Sequence, residues 1–283
     1  VRDGIDASAQ ITSIENMLAG GDMDMIILWP MEGEALRSAA QSIVDAGVKL
    51  VVYDRLIEGF EHENFVGDIM GDNVGIGKSM GEYLNTFFAD DDDVQYLRFV
   101  GDSSTVTSQR SEGMDGVLAD NFNQVSETLV TNWSTETAQT QMENWLGSHS
   151  KEEIEALDLI VTHDDEIVDG LMNALDAYSG EAAINVKLIT SVGGREETLQ
   201  KFENTQLGVK FWTSFFSPSF IRQAFELGLA DLTGQPFEAE QDENGTYLIP
   251  SFSITNADQA GDEDFESYRA TEDYEERYAI SLE

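Results

Sequence analysis

The sequence predicts an α/β protein built from two doubly wound parallel-sheet lobes. Short apolar segments alternate with amphipathic ones along most of the 283 residues, and this β-α alternation is typical of parallel sheets with helices on both faces. The segments at 25–29 and 157–162 are apolar almost throughout, as strands buried on both sides are. The β-α units are too many for one sheet of usual size, so we expect two lobes.

In the first half of the chain, strands and helices follow each other in a regular order. After the first strand, Leu36, Ala40 and Ile43 recur at helical spacing, and Gly47 ends that helix. The elements expected here are strands at 25–29, 49–53, 65–70 and 94–100, and helices at 32–46, from 72 or 73 to 88, and at 107–121.

In the second half, capping residues mark the helix starts. Ser134 and Asp164 are good N-caps, and Pro218 suits the first turn of a helix. The elements expected here are strands at 127–131, 157–162, 186–192, 209–215 and 247–253, and helices at 136–146, 164–177, 196–203 and 218–232.

The composition excludes several classes of function. The chain carries 55 acidic and 15 basic residues, a formal charge of −40, which disfavours binding to nucleic acids and anionic membranes. It has no cysteine and three histidines, so we expect neither a metal site nor a cofactor. We also expect no direct membrane insertion, because no run of 18 apolar residues occurs. An enzyme is the least favoured class, since no nucleophile motif or phosphate loop is recognised.

The acidic residues are spread along the whole chain and favour a protein that works in strong brine. At about 1 M salt the Debye length falls to roughly 3 Å, which screens the self-repulsion. The alternative is an acidic exported protein with a solvated surface. The dense run at 90–93 lacks the ligand spacing of a calcium loop, so we interpret it as a solvated loop.

Ligands of doubly wound sheets bind beyond the carboxyl ends of the strands. Asp and Arg can make paired hydrogen bonds to adjacent hydroxyls, and aromatic faces pack on the C–H faces of a sugar ring. This mixture predicts a polyhydroxylated ligand. The candidate ligand-binding residues in these loops are Asp54, Arg55, Arg110, Trp133, Asp164 and Phe216.

Structural roles remain open as alternatives for these residues. Asp54 and Arg55 could form a surface ion pair, and Arg110 could offset acidic neighbours. Trp133 could belong to the core, and Asp164 could cap a helix as well as accept from a ligand. The neighbouring His163 is interpreted as a structural residue.

Six segments of the sequence resemble motifs of the type I periplasmic sugar-binding proteins of ABC importers, and the resemblance is closest to the xylose- and ribose-binding branch. The resemblance runs over nearly the whole chain. The segments are QITSIENMLAG (10–20), DMIILWP (24–30), VVYDR (51–55), GDNVGIG (71–77), RSEG (110–113) and THDDEIVDG (162–170).

The resemblance implies a non-enzymatic, extracytoplasmic protein that captures a monosaccharide in an interlobe cleft and delivers it to an ABC permease. A pentose such as xylose or ribose is favoured, and the protein would be a periplasmic or extracellular monomer, with a lipid anchor in a segment outside this sequence as one option.

The resemblance also implies roles for the candidate residues. Sugar-contacting positions are those of Asp54, Arg55, Arg110 and Asp164. Trp133 resembles a stacking tryptophan, and Phe216 occupies a polar contact position.

Three departures from the family pattern stand out. The family's asparagine is Asp164 here, and an aspartate expected after the strand at 186–192 appears as Gly193. The family's first strand, first helix and most of its second strand, an N-terminal βαβ portion, are missing from this sequence.

The resemblance also implies the lobes. Lobe one would hold residues 1–101 and 217–249, and lobe two residues 102–216 and 250–283. Three crossing segments, near 101–103, 215–217 and 250–251, would form the hinge. A ligand that bridges both lobes would favour their closed form.

Two other functions share this fold and stay open as alternatives. One is the effector-binding domain of a sugar-responsive transcription regulator, against which the charge of −40 and the lack of a basic linker argue. The other is a ligand-binding receptor for chemotaxis or quorum sensing, which sequence alone separates poorly from a transport protein.

Overall fold

The computed structural model describes residues 6–258 and 261–271. The α-helices in these residues are α1 (Ala7–Gly20), α2 (Gly33–Asp45), α3 (Asn73–Phe87), α4 (Thr105–Asp115), α5 (Thr135–Ser148), α6 (Lys151–Glu155), α7 (Asp165–Ala177), α8 (Glu196–Asn204), α9 (Ile221–Thr233) and α10 (Phe265–Arg269), and a 3₁₀ helix at Pro218–Phe220 precedes α9. The strands are β1 (Met25–Leu28), β2 (Lys49–Tyr53), β3 (Phe65–Gly71), β4 (Val94–Val100), β5 (Phe122–Gln124), β6 (Leu129–Val130), β7 (Leu159–Thr162), β8 (Leu188–Gly193), β9 (Lys210–Phe215), β10 (Glu240–Gln241), β11 (Tyr247–Ile249), β12 (Ser253–Thr255) and β13 (Glu263–Asp264).

The chain forms two compact units. Unit one contains the described residues up to Asp72, together with Ser104–Val106 and Pro218–Pro250. Unit two contains Asn73–Ser103, Thr107–Ser217 and the described residues from Ser251 onward. Among the described residues, no helix combines the length and the apolar character needed to cross a bilayer.

Unit one is a five-stranded sheet in the order β1-β2-β3-β11-β10, parallel except for the β10–β11 pair. Alternate residues of β2 point to opposite faces. Leu50 and Val52 pack in the cluster formed with α1 and α2, whereas Val51 and Tyr53 pack in the cluster formed with α9. The sheet is therefore covered by helices on both faces.

Unit two is an eight-stranded sheet whose main path runs β13-β12-β9-β8-β7-β4-β5, with β6 also paired to β4. Its pairs are parallel except for β9 with β12. All four residues of β7 are buried. α3 and α4 contribute to one core cluster with β4, β7 and β8, and α7 and α8 pack against β7, β8 and β9. The predicted fold class is confirmed by this architecture.

The structural division of the chain differs from the lobe boundaries expected from the sequence. The first boundary lies between Asp72 and Asn73 instead of near residue 101, so residues 73–101 belong to unit two. The reason is that β4 pairs with β5, β6 and β7, and α3 joins the same core. The β-α alternation predicts β4 but not the sheet that it joins.

Several element boundaries also differ from the sequence expectation. The strand expected at 25–29 ends at Leu28, the helix expected at 107–121 spans Thr105–Asp115, and the strand expected at 127–131 is the two-residue β6. The strand expected at 247–253 is split into β11 and β12, which belong to different sheets. Pro250 lies in the break and has no backbone N–H for a ladder.

Candidate functional site

The first cluster of candidate residues lies in unit one, beyond the carboxyl ends of β1 and β2. These strands are parallel, with Leu28 opposite Val52, so the loops that follow them are neighbours. The indole Nε1 of Trp29 donates to Oδ2 of Asp54 at 2.8 Å. Arg55 donates from its guanidinium to the carbonyl oxygen of Met31 at 2.7 Å, and its Cζ lies 5.3 Å from the centroid of the Trp29 ring.

The backbone and α1 fix the geometry of this cluster. Asp54 has φ of 68°, the left-handed region that aspartate adopts more readily than most residues. The side chain of Gln10 on α1 donates to the carbonyl oxygen of Trp29 at 2.7 Å and accepts from the N–H of Met31 at 2.8 Å. The loop after β1 is thus tied to a helix, which keeps Trp29 beside Asp54 and Arg55.

The second cluster, in unit two, is organised by Arg110 on α4, which is 3% exposed. Its Nε donates to Oδ1 of Asn73 at 2.9 Å, and a terminal nitrogen donates to the carbonyl oxygen of His163 at 2.6 Å. Its Cζ lies 5.5 Å from the centroid of the Phe216 ring. Arg110 therefore joins the start of α3 to the loops that follow β7 and β9.

His163 contributes a neutral imidazole to this cluster. Burial, with the positive charges of Arg110 and Arg98, lowers the pKa of His163 to about 3. Within the described residues, neither of its ring nitrogens has a hydrogen-bond partner. The Arg110 guanidinium is therefore the positive charge of this cluster at neutral pH, and His163 adds none.

Asp164 is the N-cap residue of α7 and lies beside the carboxyl group of Glu166. Its Oδ1 accepts from the N–H of Glu166 at 3.0 Å, so it caps the helix. Burial and the nearby carboxylate of Glu166 raise the pKa of Asp164 well above its usual value. The hydrogen bond from Asp164 and the charge of Arg195 lower the pKa of Glu166. A protonated Asp164 carboxyl can donate as well as accept.

Asp165 explains why residue 193 carries no side chain. Its carboxylate accepts from the hydroxyl of Ser191 at 2.6 Å and from the N–H groups of Gly194 and Arg195 at 2.8 and 2.7 Å. Gly193 has φ of 150°, and a Cβ there would lie 2.5 Å from Oδ2 of Asp165. The family resemblance implies an aspartate at position 193. In this structure, the carboxylate of Asp165 occupies the space that such a side chain would need.

We expect Asp165→Asn to remove a pH dependence of stability. Burial raises the pKa of Asp165 to about 7, above the value of about 3.9 in an unfolded chain. Between these two pKa values, the folded protein keeps a proton that the unfolded chain loses. Binding of this proton stabilises the folded state fully at pH values below the unfolded pKa, and the stabilisation is lost as the pH rises through the folded pKa of about 7. Relative to the variant, the wild-type free energy of unfolding should fall by on the order of 3 kcal/mol between pH 4.5 and 8.5.

Urea unfolding at constant high salt measures this difference. Asp176→Asn, which removes an exposed carboxylate from the same helix, is the control and should follow the wild type. Parallel pH profiles for wild type and Asp165→Asn would contradict the expectation.

Trp133 lies in a strained loop after β6. Asn132 and Trp133 both have left-handed backbones, with φ of 53° and 59°. This conformation is uncommon for a bulky residue, and such strain tends to occur at functional sites. The Trp133 ring packs against Gly101, where an added Cβ would lie 2.0 Å from Cε2 of the indole. The loop after β4 thus positions the ring.

Gly101→Ala is expected to displace the Trp133 ring and to destabilise unit two by about 1–3 kcal/mol, as overpacking does. Urea unfolding and near-UV circular dichroism measure the two effects. Gly147→Ala in α5 is a matched control, because nothing lies within 4 Å of its added Cβ; alanine is the better helix former there. A Gly101→Ala protein as stable as wild type, with unchanged aromatic signals, would show that the contact is not tight.

The predicted site residues fall into two groups. Asp54 and Arg55 lie in unit one, and Arg110, Trp133, Asp164 and Phe216 lie in unit two. Within unit two, Arg110 contacts Phe216 and the backbone next to Asp164, whereas Trp133 lies in the separate loop beside Gly101.

Sequence reasoning missed three polar or aromatic participants. The apolar run at 25–29 predicts Trp29 as the end of a strand, although its place directly before Pro30 is a signal for a loop. The sequence predicts Asn73 only as a helix cap, and no local pattern indicates that Gln10 holds the Trp29 loop.

The protein is thus a two-unit α/β protein in which polar and aromatic side chains gather beyond the carboxyl ends of the strands. Residues 2–235 match the periplasmic binding protein domain family, and the chain belongs to this family. The resemblance found in the sequence is thereby confirmed. The family is one of solute-binding proteins and not of enzymes.

Relatives and solved structures agree with this assignment. The D-xylose-binding periplasmic protein of Haemophilus influenzae is 28% identical over 190 residues, covering 64% of this chain and 53% of its own length. The D-xylose-binding periplasmic protein of Escherichia coli is 24% identical over 261 residues, covering 88% of this chain and 73% of its own.

Among solved structures, the binding protein component of the arabinose ABC transporter from Shewanella sp. ANA-3 superposes with a TM-score of 0.74 at 21% identity. The match covers 96% of this chain and 82% of that one. At this identity the likeness establishes the fold.

Proposed function

We propose that this protein is an extracytoplasmic solute-binding protein that captures a monosaccharide, favouring a pentose such as xylose or ribose, and delivers it to an ABC permease. One observation supports it most. Each unit places a buried arginine beside an aromatic ring at the carboxyl ends of its strands, Arg55 beside Trp29 and Arg110 beside Phe216.

This pairing suits a neutral sugar. A guanidinium is a planar fork that can donate to two neighbouring oxygens, and a nearby carboxyl, Asp54 or Asp164, can accept from another hydroxyl. Aromatic rings pack against the apolar face of the sugar. The formal charge of −40 disfavours anionic ligands such as sugar phosphates. A neutral polyol can accept hydrogen bonds from the guanidinium groups, donate to the carboxyl groups and pack against the rings, and it carries no charge.

The names of the relatives support a pentose, since two of them are D-xylose-binding proteins. If sugar binding favours one conformation of the protein through its higher affinity for that conformation, a permease could distinguish the loaded protein from the empty one.

Isothermal titration calorimetry in 2 M KCl tests the binding step. The panel contains xylose, ribose, arabinose, glucose and galactose, with glucose 6-phosphate as the anionic control. We expect saturable 1:1 binding of at least one pentose and no heat from the phosphate. Absence of heat with every sugar would reject the proposal.

Delivery is tested separately from binding. The loaded protein should stimulate the ATPase activity of its importer in proteoliposomes more than the empty protein does. Sugar binding without any such stimulation would instead favour a receptor that hands its ligand to a membrane sensor.

A further inference from the structure

We propose that Trp29 is a further ligand-contacting residue of unit one, whose indole face packs against the ring of the bound sugar. This inference rests on the proposed function and deepens it by naming a residue that sets specificity.

The position of Trp29 sets it apart from the core tryptophans. It is the first residue after β1 and is 46% exposed, whereas Ile26 and Leu28 of that strand are each 6% exposed. Trp145 and Trp212 are buried. Large aromatic surface is normally removed from water, and an exposed aromatic beside polar anchors is typical of a binding surface.

The exposed ring is held by its neighbours. Its N–H is bound to the carboxylate of Asp54 at 2.8 Å, and the Arg55 guanidinium carbon lies 5.3 Å from its centroid. The backbone carbonyl of Trp29 is held by the Gln10 side chain at 2.7 Å. A ring fixed in this way loses little conformational freedom when a ligand packs against it, which favours affinity.

The contacts of Trp29 also join apolar and polar recognition in one place. The two residues that hold the ring are Asp54 and Arg55, the polar candidates of the same cluster. A sugar lying against the indole would therefore bring its hydroxyls to the carboxylate and the guanidinium. Since the indole N–H orients the Asp54 carboxylate, a change at residue 29 alters stacking and hydrogen bonding together.

Two variants of Trp29 separate these contributions. Trp29→Leu removes the aromatic face and the N–H, and Trp29→Phe keeps a ring but removes the N–H that Asp54 accepts. The control is Trp145→Phe in α5 of unit two, a side chain 6% exposed that stacks on His149. Circular dichroism and urea unfolding establish that each variant is folded.

The titrant is D-xylose, replaced by another panel sugar if that one binds the wild type more tightly. We expect at least a 30-fold loss of affinity for Trp29→Leu, a smaller loss for Trp29→Phe, and no change for Trp145→Phe. Acrylamide quenching gives an independent signal. The readily quenched part of the wild-type fluorescence should be smaller in Trp29→Phe, and saturating sugar should protect more of the fluorescence in the wild type than in Trp29→Phe.

The outcomes distinguish this inference from the proposed function. If the wild type binds a sugar and Trp29→Leu binds it equally well, or if saturating sugar leaves the quenching unchanged, the role of Trp29 is rejected and the proposed function stands. If the wild type binds no sugar of the panel, both are rejected.

Discussion

Replacing Arg110 with methionine is expected to lower sugar affinity by about 100-fold or more, equivalent to about 2.7 kcal/mol. The guanidinium is buried and donates to Asn73 and to the backbone of His163. Hydrogen bonds to charged groups contribute about 1.5–3 kcal/mol each. Methionine has a similar length but cannot donate, so it would leave the sugar, Asn73 and His163 without this partner.

Calorimetry with the sugar that binds the wild type measures the loss, and two further variants interpret it. Arg110→Lys keeps the charge but not the planar fork, so we expect an intermediate affinity. Arg37→Met removes an exposed arginine of unit one that donates to the carbonyl oxygens of Glu58 and Gly59, and its affinity should match the wild type. Wild-type affinity in a folded Arg110→Met protein would exclude Arg110 from the site.

The elements of the fold that sequence predicted are those encoded by local patterns. β2 and β7 are recognisable because nearly every residue is apolar, and a parallel strand is buried on both faces. Asp54, Arg55 and Asp164 follow such strands directly, so the strand-end rule was enough to select them. Arg110 lies on α4, in the segment that follows β4, so the same rule selects it as well.

The features that sequence did not predict depend on contacts between distant segments. The sheet that β4 joins is decided by its pairing with β7, some 60 residues later. Trp29 looks like a strand residue until the register of β1 and β2 ends at Leu28 and places it beside Asp54. The closure of position 193 by Asp165 is a contact across two loops, and no local pattern contains it.

Stability should depend strongly on salt. The formal charge is −40, and several of the basic residues already contact two acids each. Lys187 lies 2.7 Å from Asp91 and 3.1 Å from Asp158, and Arg269 pairs with Glu196 and Glu203. The basic residues therefore cannot neutralise the remaining acids, whose mutual repulsion opposes the compact state.

Raising KCl from 0.1 M to 2 M should therefore raise the unfolding midpoint by on the order of 10 °C. The Debye length falls from about 10 Å at 0.1 M to about 3 Å at 1 M, and each kcal/mol gained shifts the midpoint of a domain of this size by roughly 2–4 °C. Differential scanning calorimetry over a series of KCl concentrations measures the change.

A charge-reduced variant separates screening from the general effect of salt on hydrophobic burial. Asp92→Asn, Glu127→Gln and Glu181→Gln together remove three exposed negative charges from unit two. If repulsion limits stability, this variant should unfold at a higher temperature than the wild type in 0.1 M KCl and at nearly the same temperature in 2 M KCl. An equal difference between the two proteins at both concentrations would show that the acidic surface is not the source of the salt dependence.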